Sequence, residues 1–214
     1  MRRVVVGISG ASGPHYGVRL VEVLRERTDV EVHLVLSRGA RATIAHEMGR
    51  DPDEVAARAH VVHDERDLAA SIASGTFVVD GMIVAPCSVK TLSAIAHSFN
   101  DTLIARAADV CLKERRPLVL VVRETPLHLG HLRLMAQATE AGAVVLPPVT
   151  AFYHRPRTIA DLIDHTVVKA LDQLGIHLDL IERWRGPGGG RSGAAAGGAP
   201  ARSEAAHGAA GAGG

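Results

Sequence analysis

The sequence predicts an α/β domain in which a parallel β-sheet lies between two layers of helices. Three observations carry that reading. Strand-like and helix-like segments alternate along almost the whole chain. Several of the strand segments are apolar without a break, as strands buried on both faces must be. The small, polar and charged residues fall directly after those strands, where open parallel sheets bind their ligands.

Taken in order, residues 3–8 are apolar and largely β-branched and form a buried strand. The run GISGASG at 7–13 then turns the chain into a helix whose stripe is Val18, Leu20, Val21 and Leu24. Residues 30–36 form a second strand ending at Ser37, and a helix follows to about Met48. Residues 51–70 read as helix and loop with a short strand near 60–62. A strand at 81–85 closes in Pro86-Cys87-Ser88, and 89–96 is helical. Asn100 or Asp101 caps the next helix, which runs to about Arg115. Only Leu and Val make up the strand at 118–122. A helix at 129–141 closes at Gly142, and a strand at 143–146 ends in Pro147-Pro148. Thr158 opens the last long helix, with Asp161 three residues on as a capping-box-like partner. Ile159, Leu162, Ile163, Val167, Ala170, Leu171 and Leu174 recur along it at helical spacing.

From Gly186 onward the composition changes to Gly and Ala with scattered Ser, Pro and Arg. Such a stretch cannot bury enough surface to offset its chain entropy. The expected organisation is one domain over 1–185 and a disordered Gly/Ala-rich tail over 186–214.

Composition excludes several classes of function. A formal net charge of +1 and 3% aromatic residues offer neither the field nor the stacking surface for nucleic acid. No stretch reaches the ~18–20 apolar residues of a membrane span. Ser9, Gly10 and Ser12 break the N-terminal apolar run too early for a secretory signal. Cys87 and Cys111 are too few for a disulfide framework, so the expected setting is the reducing cytoplasm. Arginine outnumbers lysine 21 to 3, which sets Lys90, Lys113 and Lys169 apart as places where a compact, mobile ammonium is preferred.

The candidate chemistry sits after the strands. GISGASG is either a cradle of backbone N–H groups for a phosphate or a turn that only packs helix on strand. It has neither the dinucleotide spacing nor the Gly-Lys-Ser/Thr ending of a P-loop. Ser88 and Thr91 flank a helix start and serve as an anion cradle or an ordinary N-cap. Arg106 and Lys113 share one helix face with Asp109 between them, which reads better as an ion-pair ladder than as a phosphate site. Arg123-Glu124 follows a fully apolar strand, where unpaired charge at the core edge is costly, and that favours function. Tyr153 lies in the loop AFYHRP, and Lys169 flanks the stripe of the last helix with its ammonium reaching outward. His60/His63 and His128/His131 lack a third ligand at suitable spacing, so no metal is expected.

Five segments together resemble the UbiX/Pad-type flavin prenyltransferases. They are GISGASG, VLS at 35–37, APCSVKTL, NDTLIARAADVCLKERRPLVLVVRETPLH and PPVTAFYHRP. The resemblance spans Met1 to about Ile176 and stops before the Gly/Ala-rich tail. It implies a flavodoxin-like or Rossmann-like fold, and a homo-oligomer (typically a dodecamer) with active sites at subunit junctions. It further implies FMN and dimethylallyl phosphate as ligands, no metal, and a product passed to a UbiD-type decarboxylase. By position, Gly10, Ala11, Ser12, Ser37, Ser88, Val89, Lys90, Thr91 and Arg123 would hold FMN. Lys113, Arg123, Tyr153 and Lys169 would surround the prenyl phosphate. Glu124 would be the leading acid/base group, with Glu47 a second acidic residue near the reacting centre and Arg106 in support. Three rivals stay in view, one of them direct decarboxylation of aromatic acids by the chain alone. A flavin-dependent cysteine decarboxylase would carry Asn in a P-x-M-N-type loop, whereas Pro86-Cys87-Ser88-Val89 has none. A non-catalytic flavin-binding subunit would have no use for the cluster of cations.

Overall fold

The computed structural model describes residues 1–184 and 186. Apart from Gly186, the expected tail over 186–214 lies outside the described residues. The chain divides into a unit over Met1–Glu182 and another over Arg183–Gly214; the fold is that of the first.

Six strands form one wholly parallel sheet: β1 (Arg2–Ile8), β2 (Val30–Leu36), β3 (Val61–His63), β4 (Gly81–Cys87), β5 (Leu118–Val122) and β6 (Val144–Val145). Their order across the sheet is β3-β2-β1-β4-β5-β6. The path therefore reverses between β1 and β4, which makes the carboxyl ends of those two strands the topological switch point. The helices are α1 (His15–Arg25), α2 (Arg38–Met48), α3 (Pro52–Ala56), α4 (Val89–Ala96), α5 (Leu103–Lys113), α6 (Leu129–Glu140) and α7 (Ile159–Asp172).

Alternation along the strands sends side chains to two cores. Val4, Val6 and Ile8 of β1 join Val32, Leu34 and Leu36 of β2 and Ile83 of β4 beneath α1, α2 and α7. Val5, Met82, Val84, Leu118 and Leu120 face the other way, beneath α4, α5 and α6. α1 and α7 are further tied by the Arg19–Asp164 ion pair at 2.7 Å.

Most elements match the sequence reading, and the differences have physical causes. The cap of α5 is Thr102, whose hydroxyl accepts the Ala105 N–H at 3.3 Å, not Asn100 or Asp101. Asn100 instead donates to Asp109, and Asp101 pairs with Lys90. That helix ends at Lys113 because Arg115 takes a positive φ of 57°. β4 continues through Pro86 to Cys87, with a register shift against β5 between Val84 and Cys87. Pro lacks an N–H, and the irregularity is where a sheet tolerates it. β6 is only two residues long, at the edge. The capping box of Thr158 and Asp161 is present as expected.

Candidate active site

At the switch point a buried hydroxyl joins the ends of β1 and β4. Ser9 Oγ donates to the Pro86 carbonyl at 2.8 Å and accepts the Ser88 N–H at 2.7 Å. Ser37 N–H donates to the Ile8 carbonyl at 3.0 Å, while Ser37 Oγ accepts the Ala40 N–H at 3.0 Å and caps α2. Ser88 caps α4 by accepting the Thr91 N–H at 3.3 Å, and the two hydroxyls lie 3.1 Å apart. These turns wall a cavity of about 620 Å³ that Gly10, Ser37, Gly39, Ser88, Lys90 and Thr91 line. That volume suits a cofactor-sized ligand.

Two backbones touch in the lining of the cavity. A Cβ on Gly10 would lie 2.9 Å from Gly39 Cα, and one on Gly39 would lie 2.8 Å from Gly10 Cα. Only glycine at both positions permits that approach. Around the cavity stand the starts of α2, α4 and, through Thr102, α5, whose free N–H groups favour an anion. Two of those starts, α2 and α5, are already met by one residue. Glu65 accepts the Arg38 N–H at 2.8 Å on its carboxylate, and its carbonyl accepts the Leu103 N–H at 2.8 Å. Glu65 and Arg66 line the cavity too, and the sequence reading missed them. They lie in the weakly periodic segment after β3, and no spacing in the sequence links Glu65 to Arg38.

Glu47 belongs to the first turn. Its Oε2 accepts the Ser12 hydroxyl at 3.1 Å and the Gly13 N–H at 2.8 Å, so it braces GISGASG from α2. Ala11 in the same turn is buried. Arg123 N–H donates to the Cys87 carbonyl at 3.0 Å. The Arg123 guanidinium lies close enough to Tyr16 of α1 to offset part of the burial that raises that phenol's pKa. Arg123 and Glu124 are exposed, which corrects the expectation of charges at the core edge: the chain leaves the sheet at Val122. Glu124 turns its carboxylate back on the Thr125 N–H at 3.1 Å. Tyr153 and Lys169 share a neighbour, His165, whose Nε2 lies 3.0 Å from the Tyr153 hydroxyl and whose pKa Lys169 helps to lower.

The same architecture occurs in solved structures of related sequence. Residues 1–168 match the family model described as Flavoprotein. The flavin prenyltransferase UbiX of Escherichia coli K12 is 62% identical over 188 residues, covering 87% of this chain and all of the relative. The chain belongs to the UbiX flavin prenyltransferase family. A crystal structure of AnUbiX (PadA1) in complex with FMN and dimethylallyl pyrophosphate superposes with a TM-score of 0.84 at 52% identity, covering 86% of this chain and 98% of that one. A dodecameric FMN-dependent UbiX-like decarboxylase from Escherichia coli O157:H7 gives a TM-score of 0.84 at 46% identity, over 86% of this chain and all of that one.

Two residues implied by UbiX membership stand away from the crevice within one chain. Lys113 is at the far end of α5, roughly 15 Å along the helix from Leu103 at ~1.5 Å per residue. Its ammonium pairs with Glu114 beside Gly75, at the amino edge of the sheet. Arg106 donates to the Ala73 carbonyl at 3.0 Å and to Asp109 at 3.2 Å, so it fastens α5 to the turn at Ser71–Ala73. The ion-pair ladder is thus half formed: Arg106 uses Asp109, and Lys113 does not. Burial pushes the Cys87 thiol up, and the Cys111 thiol to about 12, so neither is a thiolate nucleophile at neutral pH. Among the described residues, no three His, Cys, Asp or Glu side chains are grouped to hold a metal. No helix among them is long and apolar enough to cross a membrane.

Proposed function

We propose that this chain transfers the dimethylallyl group of dimethylallyl phosphate to N5 and C6 of reduced FMN, giving a prenylated FMN that a UbiD-type decarboxylase uses in the cytoplasm. The observation that carries this reading is the cavity of about 620 Å³ at the β1/β4 switch point, with its Gly10–Gly39 contact and its capped helix starts. The residues fit the group. Gly10, Ala11 and Ser12 supply a turn of backbone N–H groups; Ser37, Ser88 and Thr91 supply hydroxyls; Val89 and Lys90 open α4. The bound FMN in the related AnUbiX structure supports the assignment.

Reduced FMN, when bound, supplies the nucleophilic ring atoms that accept the prenyl carbons. The chain's own residues handle charge, alignment and one proton. Arg123, Tyr153, Lys169 and Lys113 hold the phosphate as the allylic C–O bond breaks, and cations aimed at the departing oxygen lower that barrier. Holding the allylic carbon against the flavin replaces a bimolecular encounter. Formation of the second bond releases a ring proton, which the Glu124 carboxylate accepts. Glu47 keeps the first turn in place, and Arg106 keeps α5 in place. Lys113 reaches a site only by facing the crevice of another copy, in a homo-oligomer that we take to be a dodecamer.

The test is anaerobic incubation of the purified protein with reduced FMN and dimethylallyl phosphate. The expected product is FMN heavier by one C5 prenyl unit in the mass spectrum. Unmodified FMN after prolonged incubation overturns the reading.

A further inference from the structure

Tyr153 and Lys169 flank a side chain that no motif singled out. The Tyr153 hydroxyl lies 3.0 Å from His165 Nε2. The His165 ring stacks on His154 with centroids 4.9 Å apart and 5° between planes. Tyr153 meets both rings edge-on, at 5.7 Å and 77° to His165 and at 5.4 Å and 74° to His154. Three rings thus lock one another, and Tyr153 cannot swing without losing its edge-on contacts and its hydrogen bond to His165. His165 and Lys169 are four residues apart on α7 and so share a face.

The direction of the Tyr153–His165 hydrogen bond has a chemical consequence. A phenol that donates to the imidazole offers an anion only lone pairs. A phenol that accepts from the imidazole can turn its own O–H toward a different acceptor. An anion held beside the Lys169 ammonium requires the second arrangement. We propose that His165 is a positioning residue for the prenyl phosphate: its Nε2–H donates to the Tyr153 oxygen and so aims the Tyr153 proton at the phosphate. This inference rests on the prenyl-transfer reading. Burial, then His154 and Lys169, lower the His165 pKa, which keeps the ring neutral and makes its tautomer the variable that matters.

The experiment compares the FMN-loaded wild-type protein with His165→Phe, His165→Gln, Tyr153→Phe and the His165→Phe/Tyr153→Phe double variant. Phe keeps the stack on His154 and removes the donor; Gln restores an N–H donor of similar reach. Calorimetry with dimethylallyl phosphate gives substrate affinity without turnover, and prenylation rates give kcat and KM. His165→Phe is expected to weaken dimethylallyl phosphate roughly tenfold, the scale of one hydrogen bond to a charged group, with FMN affinity unchanged within about twofold. His165→Gln should recover most of that loss, and the double variant should lose less than about twofold beyond Tyr153→Phe alone. The ¹⁵N shifts of His165 should report an Nε2–H tautomer. Multiplying losses in the double variant, no rescue by Gln, FMN affinity falling in step, or an Nδ1–H tautomer each overturn the role. If the wild type binds dimethylallyl phosphate but makes no adduct, the prenyl-transfer reading fails, while the binding series and the tautomer still judge His165.

Discussion

The crevice and the cation cluster are built by different means. In the crevice, position comes from backbone and buried hydroxyls: Ser9 spans Pro86 and Ser88, Ser37 reaches Ile8, and Gly10 touches Gly39. All of these groups come from one chain. The cations are held by side chains at the surface: Arg123 is exposed, Lys169 lies on an outer face of α7, and Lys113 sits at the opposite edge of the sheet with Glu114. On the function proposed above, the difference teaches that one chain would preform the flavin half of the site, whereas the phosphate half would be completed by a second copy.

The largest expected effect breaks the second half and spares the first. Lys113→Ala should lower kcat/KM for dimethylallyl phosphate about 100-fold, as loss of a group on a developing charge does, with FMN affinity unchanged. Tyr153→Phe should also impair transfer. If Lys113 and Tyr153 act from different chains, dissociating and reassembling the two variants together should restore roughly a quarter of the wild-type sites, by random association of copies in a symmetric oligomer. No recovery in mixed assemblies would place both residues in one chain and undo the contrast.

A second perturbation strikes the rigid half. A Cβ on Gly17 would lie 2.1 Å from the Ala85 carbonyl oxygen and 2.7 Å from Ile8, because α1 presses directly on β1 and β4 beneath the crevice. Gly17→Ala should therefore cost about 3 kcal/mol of stability by overpacking, despite the helix propensity it gains. Urea unfolding measures this; a loss below about 1 kcal/mol would mean that the backbone relaxes easily there.

The same contrast explains what the sequence disclosed. Strand β5 is wholly Leu and Val, and β1, β2 and β4 are mostly apolar, so their apolar runs located them to within two residues. The Ser88 cap and the Thr158–Asp161 pair are local signals that need only a few neighbouring residues. Glu65 escaped because its partner Arg38 is 27 residues away and only the fold brings them together. Ser9 was grouped with its loop, but its role as a staple depends on Pro86 and Ser88, 77 and 79 residues distant. The resemblance marked Lys113, yet no spacing shows that a helix beginning at the crevice carries that residue to the far edge. Helical periodicity sets a face, while distance from a ligand depends on how many turns intervene.

The smallest expected effect tests how the phosphate half is steadied. The loop bearing Tyr153 enters α7 through Asp161, whose Oδ2 accepts the Arg157 N–H at 2.7 Å and the Thr158 N–H at 3.0 Å. The backbone N–H groups of Arg157 and Thr158, and the Thr158 hydroxyl, hold this carboxyl below the usual carboxylate range. A depressed folded-state pKa stabilises the protein above the unfolded value of roughly 3.9, and that contribution disappears as pH falls through the lower folded value. Asp161→Asn should consequently be slightly less stable than wild type near neutrality, and the gap should close in more acidic solution. A gap independent of pH would assign the effect to packing and not to charge. Because the cap anchors the Tyr153 loop and touches nothing in the crevice, the variant should raise KM for dimethylallyl phosphate modestly and leave FMN affinity alone. A matching loss of FMN affinity would show that the two halves are mechanically coupled through α1 and α7, where Arg19 meets Asp164.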